Sequence, residues 1–215
     1  MDMVTITLDG IQVKARQGSR ILETAMDAGV YIPHLCFLSE ADPPIGACRL
    51  CFVEIEGRID AVTACTTPVA GGMIVRTNTP RVDRLRRTAA ELIIANHHVD
   101  CKACARNRSC ELQKVAAHLK LKLKPQRLRK TLGELKPVDS SHPLLTYDPN
   151  KCVLCGKCVW ICEHKVSGPL NFAFRGFQTR VSTFDQRPLG ESKCDSCEEC
   201  AAVCPVGALV SKVAK

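Results

Sequence analysis

Three cysteines and a histidine near the middle of the chain have the residue types and spacing of a metal-cluster site. His97, Cys101, Cys104 and Cys110 fall within fourteen residues in the pattern H-x3-C-x2-C-x5-C. Sulfur and imidazole ligands suit zinc or an iron–sulfur cluster better than a hard cation. Taken alone, the pattern leaves two interpretations open: a zinc site with three cysteines and one histidine, or an iron–sulfur cluster.

Four cysteines that precede this run favour the iron–sulfur interpretation. They are spaced C-x11-C-x2-C-x13-C, at Cys36, Cys48, Cys51 and Cys65. Four cysteines around a small hairpin-and-helix module fit a [2Fe–2S] site, with a zinc ribbon as the alternative. The spacing departs from the plant-type C-x4-C-x2-C pattern, so plant-type details are not transferred. Gly46 would let the backbone approach the cluster closely, with amide N–H groups pointing at sulfur.

The last eight cysteines form two copies of the bacterial ferredoxin run. The first copy is Cys152, Cys155, Cys158 and Cys162, and the second is Cys194, Cys197, Cys200 and Cys204. In two-cluster ferredoxins the fourth cysteine of each run ligates the other cluster. One [4Fe–4S] cluster is therefore predicted on Cys152, Cys155, Cys158 and Cys204, and another on Cys162, Cys194, Cys197 and Cys200. The insert of 31 residues between the runs, 163–193, is longer than minimal ferredoxins need.

The number of candidate ligands matches four clusters. One [2Fe–2S] and three [4Fe–4S] clusters need sixteen ligands, and the chain offers 15 cysteines plus His97. No cysteine is left over as a nucleophile or a redox-sensing thiol. The sequence also contains no Gly-rich dinucleotide fingerprint, no P-loop and no acid–base constellation. We therefore predict no catalytic residue and expect flavin, nucleotide and substrate chemistry on partner subunits.

Cysteine usage and hydropathy bear on the compartment. A disulfide framework belongs to short secreted chains, and the N-terminus has no signal-peptide pattern. No apolar run approaches the length of a membrane span. These features predict a cytoplasmic protein that does not span a membrane.

The basic charge is weak evidence for a nucleic-acid partner. The formal net charge of +8 counts every cysteine as neutral. Four clusters with thiolate ligands would contribute about −7, leaving the loaded chain near about +1. The basic stretch 119–130 also lacks interleaved aromatic side chains that could stack on bases. We therefore expect no nucleic-acid partner.

Local patterns predict the elements that position the N-terminal ligands. Residues 4–8 and 11–15 alternate in polarity across Asp9-Gly10, which predicts a hairpin. A helix is predicted from an N-cap at Ser19 to a C′ glycine at Gly29. A second hairpin is predicted between 52–56 and 59–64, across Gly57-Arg58. The apolar face of the first helix is predicted to comprise Ile21, Leu22, Ala25 and Met26.

Two further helices are predicted around the histidine motif. Thr79 and Pro80 suit the start of a helix, which would deliver the chain to His97. Its predicted apolar face comprises Val82, Leu85, Ala89, Leu92 and Ile93. The next helix is predicted from Glu111 to about Leu123, ending at Pro125. The predicted domains are 1–78 with [2Fe–2S], 79–130 with the His-ligated [4Fe–4S], a linker at 131–148, and 149–215 with two [4Fe–4S] clusters.

The order of these sites resembles the N-terminal iron–sulfur region of the complex I 75-kDa subunit family. Within that family it is most similar to the small diaphorase subunit of bidirectional NAD-linked nickel–iron hydrogenases, through residues 172–177 and 188–192 and the two complete cysteine runs. The resemblance implies an α+β protein with a β-grasp [2Fe–2S] domain, a helical His-ligated [4Fe–4S] segment and a ferredoxin-like 2[4Fe–4S] domain. It also favours His97 over His98 as the ligand, because only His97 completes the family pattern.

The resemblance implies a non-catalytic electron-transfer subunit in a hetero-oligomer. Such a subunit relays electrons between a flavin/NAD(P)-binding subunit and a catalytic subunit such as a nickel–iron hydrogenase. An NAD-linked formate dehydrogenase or another flavin-linked reductase complex is the alternative. A free-standing ferredoxin-type carrier would contain the same clusters, but it would not purify with a flavoprotein. An iron–sulfur nucleic-acid-binding protein would show salt-dependent DNA binding.

Overall fold

The computed structural model describes residues 2–123, 133–165 and 168–212, which contain nine strands and five α-helices. The strands are β1 (Met3–Leu8), β2 (Ile11–Arg16), β3 (Phe52–Ile55), β4 (Val62–Thr63), β5 (Ile74–Arg76), β6 (Leu145–Tyr147), β7 (Asn171–Ala173), β8 (Arg180–Ser182) and β9 (Leu209–Ser211). The helices are α1 (Ile21–Asp27), α2 (Pro80–Ala95), α3 (Glu111–His118), α4 (Lys157–Lys165) and α5 (Glu199–Val203). None of these helices is long and apolar enough to cross a bilayer.

A five-stranded mixed sheet forms the N-terminal domain, in the order β2-β1-β5-β3-β4. The predicted β1–β2 hairpin is confirmed, and its turn places Asp9 and Gly10 at φ 48° and 87°. The second hairpin is also confirmed, although β4 is only two residues long. Strand β5, which the sequence analysis did not predict, pairs in parallel with β1 and antiparallel with β3. It joins the two hairpins into one β-grasp sheet.

Helix α1 starts and packs differently from the prediction. Its N-cap is Arg20, whose backbone N–H donates to the Glu23 carboxylate at 2.9 Å. The hydroxyl of the predicted cap, Ser19, instead donates to the Arg16 carbonyl and so closes the preceding turn. Met26 is 49% exposed and does not belong to the buried face. The predicted C′ position of Gly29 is confirmed by its φ of 72°.

Helix α2 begins as predicted but buries a different face. The Thr79 hydroxyl accepts from the Val82 N–H at 3.2 Å. The buried positions are Val82, Arg86, Ala90, Glu91, Ile94 and Ala95, whereas Leu92 is 53% exposed. Arg86 accounts for the difference between the predicted and the observed buried face. Its guanidinium donates to the Phe52 carbonyl at 2.5 and 3.0 Å, so this side of the helix faces β3.

Helix α3 is shorter than predicted. It ends at His118, and the chain then turns at Lys120, which has φ 52°. The predicted helix end at Pro125, with most of the basic stretch, lies outside the described residues. Strand β6 lies within the predicted linker 131–148 and pairs with β9, so part of that segment belongs to the ferredoxin-like region.

One apolar core joins the three parts of the chain. It combines side chains from the loops that carry Cys36 and Cys48, from α2 and α3, and from the ferredoxin-like region. Its buried members include Leu35, Leu50, Ala90, Ile94, Leu112, Val115, Val206 and Ala208, together with Cys36, Cys48 and Cys155. The loops that carry Cys36 and Cys48 are therefore packed against α2, α3 and the loop of Cys155 through shared side chains.

Candidate metal-cluster sites

The four N-terminal cysteines lie together in a buried group. Cys36, Cys48, Cys51 and Cys65 are all less than one-tenth exposed. The Cys36 and Cys48 Sγ atoms are 3.4 Å apart. Hydrogen bonds from the neighbouring Cys48 and Cys65 thiols lower the pKa of Cys36, whereas hydrogen bonds with Cys36 and Cys51 raise the pKa of Cys65. Four thiols in such contact cannot all ionise without a cation among them, and iron would provide that charge.

Loop backbone directs amide groups at these sulfur atoms, as the sequence analysis expected. The Leu35 N–H donates to the Cys48 Sγ, and the Cys48 N–H donates to the Cys36 Sγ, each at 3.4 Å. Gly46 makes this loop feasible because its φ is 61° and a Cβ there would lie 3.2 Å from the Thr66 methyl. Amide donors of this kind stabilise negative charge on cluster sulfurs.

Three small cavities are lined by the other candidate ligands. The first is lined by His97, His98, Cys101, Cys104 and Cys110. The second is lined by Cys152, Cys155, Cys158 and Cys204. The third is lined by Cys162, Cys194, Cys197 and Cys200. The structure thus groups the side chains into the same sets that the spacing predicts.

His97 and His98 both line the first cavity but differ in their hydrogen bonds. The His97 ring is 8% exposed, and its Nδ1 lies 3.0 Å from the Lys151 carbonyl. Since a carbonyl only accepts, Nδ1 must carry the proton, which leaves the Nε2 lone pair for a metal. Burial lowers the pKa of His97 to about 4, which keeps the imidazole neutral. His98 is only half-buried, and its backbone N–H donates to the Asn150 carbonyl at 2.8 Å.

Gly207 is a site residue that the sequence analysis missed. A Cβ at this position would lie 2.5 Å from the Cys104 Sγ, closer than any real contact allows. Its φ lies outside the left-handed region, so glycine is required here by space and not by backbone conformation. Gly207 follows Cys204 by three residues, but no neighbouring residue in the sequence indicates that it would contact Cys104.

The histidine motif is anchored on the loops of the second cavity. Besides the His97–Lys151 contact, the Glu111 N–H donates to the Pro205 carbonyl at 2.9 Å. The Arg106 guanidinium donates to the Ala201 carbonyl at 2.8 Å. Lys151 immediately precedes Cys152, so the first and second cavities are direct neighbours.

Helices α4 and α5 connect the second and third cavities. Helix α4 carries Cys158 and Cys162, one for each cavity, and α5 carries Cys200 with Cys204 at its end. Burial raises the pKa of Cys155 and of Cys200 to about 12. These thiols therefore ionise only with a compensating cation. Cys197, in the third cavity, is the one exposed cysteine among the 15.

Family descriptions match most of the chain in the same order. Residues 1–80 match a 2Fe-2S iron-sulfur cluster binding domain. Residues 86–123 match the NADH-ubiquinone oxidoreductase-G iron-sulfur binding region. Residues 144–167 and 189–210 each match a 4Fe-4S binding domain.

Individual relatives extend the match to nearly the whole chain. The NADP-reducing hydrogenase subunit HndD of Solidesulfovibrio fructosivorans is 36% identical to this chain over 98% of its length. HndD is much longer, and this chain spans only 36% of it. The NAD-reducing hydrogenase HoxS subunit gamma of Cupriavidus necator is 29% identical over 97% of this chain and 87% of its own length. A chain in the crystal structure of an NAD+-reducing [NiFe]-hydrogenase in the H2-reduced state superimposes with a TM-score of 0.86. It is 33% identical, with 98% of this chain and 88% of that chain covered.

Proposed function

The chain belongs to the family that includes the complex I 75-kDa subunit and the iron–sulfur subunits of NAD-linked hydrogenases, and from this premise we propose that it relays electrons within a multisubunit oxidoreductase. One observation carries the proposal. The sixteen candidate ligands lie in one buried thiol group and three cavities. One apolar core joins the thiol group to the first and second cavities, and helices α4 and α5 link the second cavity to the third. Single-electron transfer between neighbouring clusters needs such an arrangement, whereas a substrate-converting enzyme would also need acid–base groups.

We assign one [2Fe–2S] and three [4Fe–4S] clusters to these sites. The [2Fe–2S] ligands are Cys36, Cys48, Cys51 and Cys65. The [4Fe–4S] ligands are His97, Cys101, Cys104 and Cys110 in the first cavity, Cys152, Cys155, Cys158 and Cys204 in the second, and Cys162, Cys194, Cys197 and Cys200 in the third. When bound, these clusters accept and donate single electrons.

The chain itself positions the ligands. The Lys151 carbonyl orients the His97 ring, and Gly207 leaves room for the Cys104 sulfur. Amides of Leu35, Cys48 and Leu170 donate to cysteine sulfurs at 3.4 Å, which favours the reduced clusters. The proposed domain limits are 1–78, 79–130 and 149–215, with the last region extended toward the N-terminus to include β6.

The proposed partners are a flavin/NAD(P)-binding subunit and a catalytic subunit, with a nickel–iron hydrogenase as the first candidate. The named hydrogenase relatives support this choice. An NAD-linked formate dehydrogenase is the second candidate, supported by the 31% identity to the putative formate dehydrogenase SH0748 of Staphylococcus haemolyticus. We place the hetero-oligomer in the cytoplasm.

Reconstitution with partners tests the proposed relay. The isolated, cluster-loaded chain should not oxidise NADH, because we find no nucleotide motif and no acid–base constellation in its sequence. Addition of the co-purifying flavoprotein should produce NADH-dependent reduction of the chain's clusters, followed by electron paramagnetic resonance. NADH-dependent dye reduction by the flavin-free chain would refute the assignment. Purification without any redox subunit would instead favour the free carrier.

A further inference from the structure

Most of the chain's phenylalanines lie in one short exposed segment. The chain has 6 phenylalanines, and four of them fall within residues 171–188. Phe172, Phe174, Phe177 and Phe184 are 43, 52, 93 and 88% exposed. We call the outer surface that carries these four rings the phenyl face. A chain with only 4% aromatic residues thus leaves most of its phenyl rings in water, which marks a protein–protein contact.

Side chains within this segment and directly beside it line two of the candidate cluster sites. Leu170 and Leu189 are buried and line the third cavity, and the buried Val181 lines the second. The Phe172 ring also reaches the cysteine loop, lying 3.8 Å from the point where a Cβ of Gly156 would be. A protein bound to the phenyl face would therefore be separated from both cavities by a thin layer of side chains.

The charges of the segment indicate the chemistry of what binds there. Residues 171–188 contain three arginines and one aspartate, with no lysine and no glutamate. The Arg180 guanidinium lies 4.7 Å above the centre of the Phe174 ring, and Arg175 is exposed. Aromatic residues and arginine are enriched in protein interfaces, whereas lysine and glutamate are depleted. A second copy of this chain would bring the same basic face against itself, which disfavours a homodimer.

We propose that the phenyl face is the docking surface for a redox subunit of the complex, one that presents carboxylates around apolar pockets. The docked subunit exchanges electrons with the second and third cluster sites across residues Leu170, Val181 and Leu189. This inference rests on the proposed function, because it requires the chain to work inside such a complex.

Cross-linking in the assembled complex tests the proposal without disturbing the fold. The photoreactive amino acid p-benzoylphenylalanine replaces Phe177, and in the control it replaces Ile59, which is 87% exposed on the N-terminal domain. We expect position 177 to cross-link to a flavin- or iron–sulfur-containing subunit through a peptide that contains Asp or Glu, while position 59 does not. A cross-link to a second copy of this chain, or to no subunit, overturns the proposal.

Substitution gives an independent readout. In the Phe177→Ser/Phe184→Ser double variant the redox subunit should co-purify at least about tenfold less, since buried aromatic anchors dominate interface energies. Iron content of the chain should be unchanged, and Ile59→Ser should behave as wild type. Unaltered co-purification of the double variant contradicts the docking surface alone. Absence of any redox subunit from the wild-type purification would instead contradict the proposed function.

Two charge-reversal variants test whether an arginine of this segment contributes to docking. Arg175→Glu should weaken association with the same subunit and reduce its dependence on salt concentration. Arg58→Glu, also at an exposed position, in the Gly57-Arg58 turn, should have no effect. Equal effects of the two variants would show that the partner responds to net charge and not to this surface.

Discussion

The N-terminal domain and the ferredoxin-like region differ in how many buried apolar residues other than cysteine form their cores. Fourteen buried residues form the core of the N-terminal domain, and only Cys51 and Cys65 among them are cysteines. The core of the ferredoxin-like region has ten buried residues, three of which are Cys158, Cys162 and Cys200. One region has a five-stranded sheet, and the other has two pairs of three-residue strands.

This difference predicts how each region depends on its clusters. The aliphatic core of the N-terminal domain can fold around its four thiols before iron arrives. Without iron, the ferredoxin-like region would leave the thiols that line its two cavities without a partner. There the clusters must contribute a large part of the folding free energy.

Of the predicted perturbations, iron removal should have the largest effect on folding, and it should affect the two regions differently. After chelation under reducing conditions, we expect amides in β6, β9, α4 and α5 to exchange like those of an unfolded chain. Metal binding in small structural sites contributes on the order of 10 kcal/mol, far more than this core can replace. Amides in β1, β3 and β5 should keep most of their protection. Hydrogen-exchange mass spectrometry measures both regions at once, and equal loss or equal retention would contradict the comparison.

The histidine variants should remove one cluster and leave the rest. We expect His97→Ala to lose or convert the cluster of the first cavity, because the Lys151 carbonyl leaves the His97 Nε2 as the metal-binding atom. His98→Ala is the matched control and should change little. His97→Cys, if it assembles, should lower the cluster's potential by restoring a thiolate. Redox-titrated electron paramagnetic resonance follows all three, and a normal spectrum of His97→Ala would overturn the assignment.

A single methyl group should perturb the same site less severely. Gly207→Ala places a Cβ 2.5 Å from the Cys104 Sγ, and such overpacking costs about 1–3 kcal/mol. We expect reduced occupancy or a shifted potential for the first-cavity cluster, with the other three unchanged. Gly71→Ala meets only the Val4 side chain at 3.5 Å, an ordinary contact, and serves as the control. Indistinguishable spectra of the two variants would show that Cys104 can move away freely.

Sequence reasoning succeeded where the signal is local. The hairpin turn at Asp9-Gly10 and the capping hydroxyl of Thr79 depend on a few adjacent residues, and both are confirmed. The ferredoxin runs fix their loops by spacing, so the grouping of cysteines around the second and third cavities could also be anticipated. The ligand assignments themselves stay predictions.

The failures share a dependence on distant contacts. Strand β5 has three residues, too few for a periodic signal, and is stabilised by pairing with β1 and β3. The buried face of α2 differs from the prediction because the buried Arg86 guanidinium donates a hydrogen bond to the Phe52 carbonyl, which is distant in the sequence. Gly207 is explained only by Cys104, which lies about a hundred residues away in the sequence.

Metal and sulfide analysis of the anaerobically purified chain tests the central claim most directly. Four clusters of the assigned types require about 14 iron and about 14 acid-labile sulfide per chain, with no zinc. Stoichiometric zinc, or iron near half that value, would contradict the assignment of four clusters.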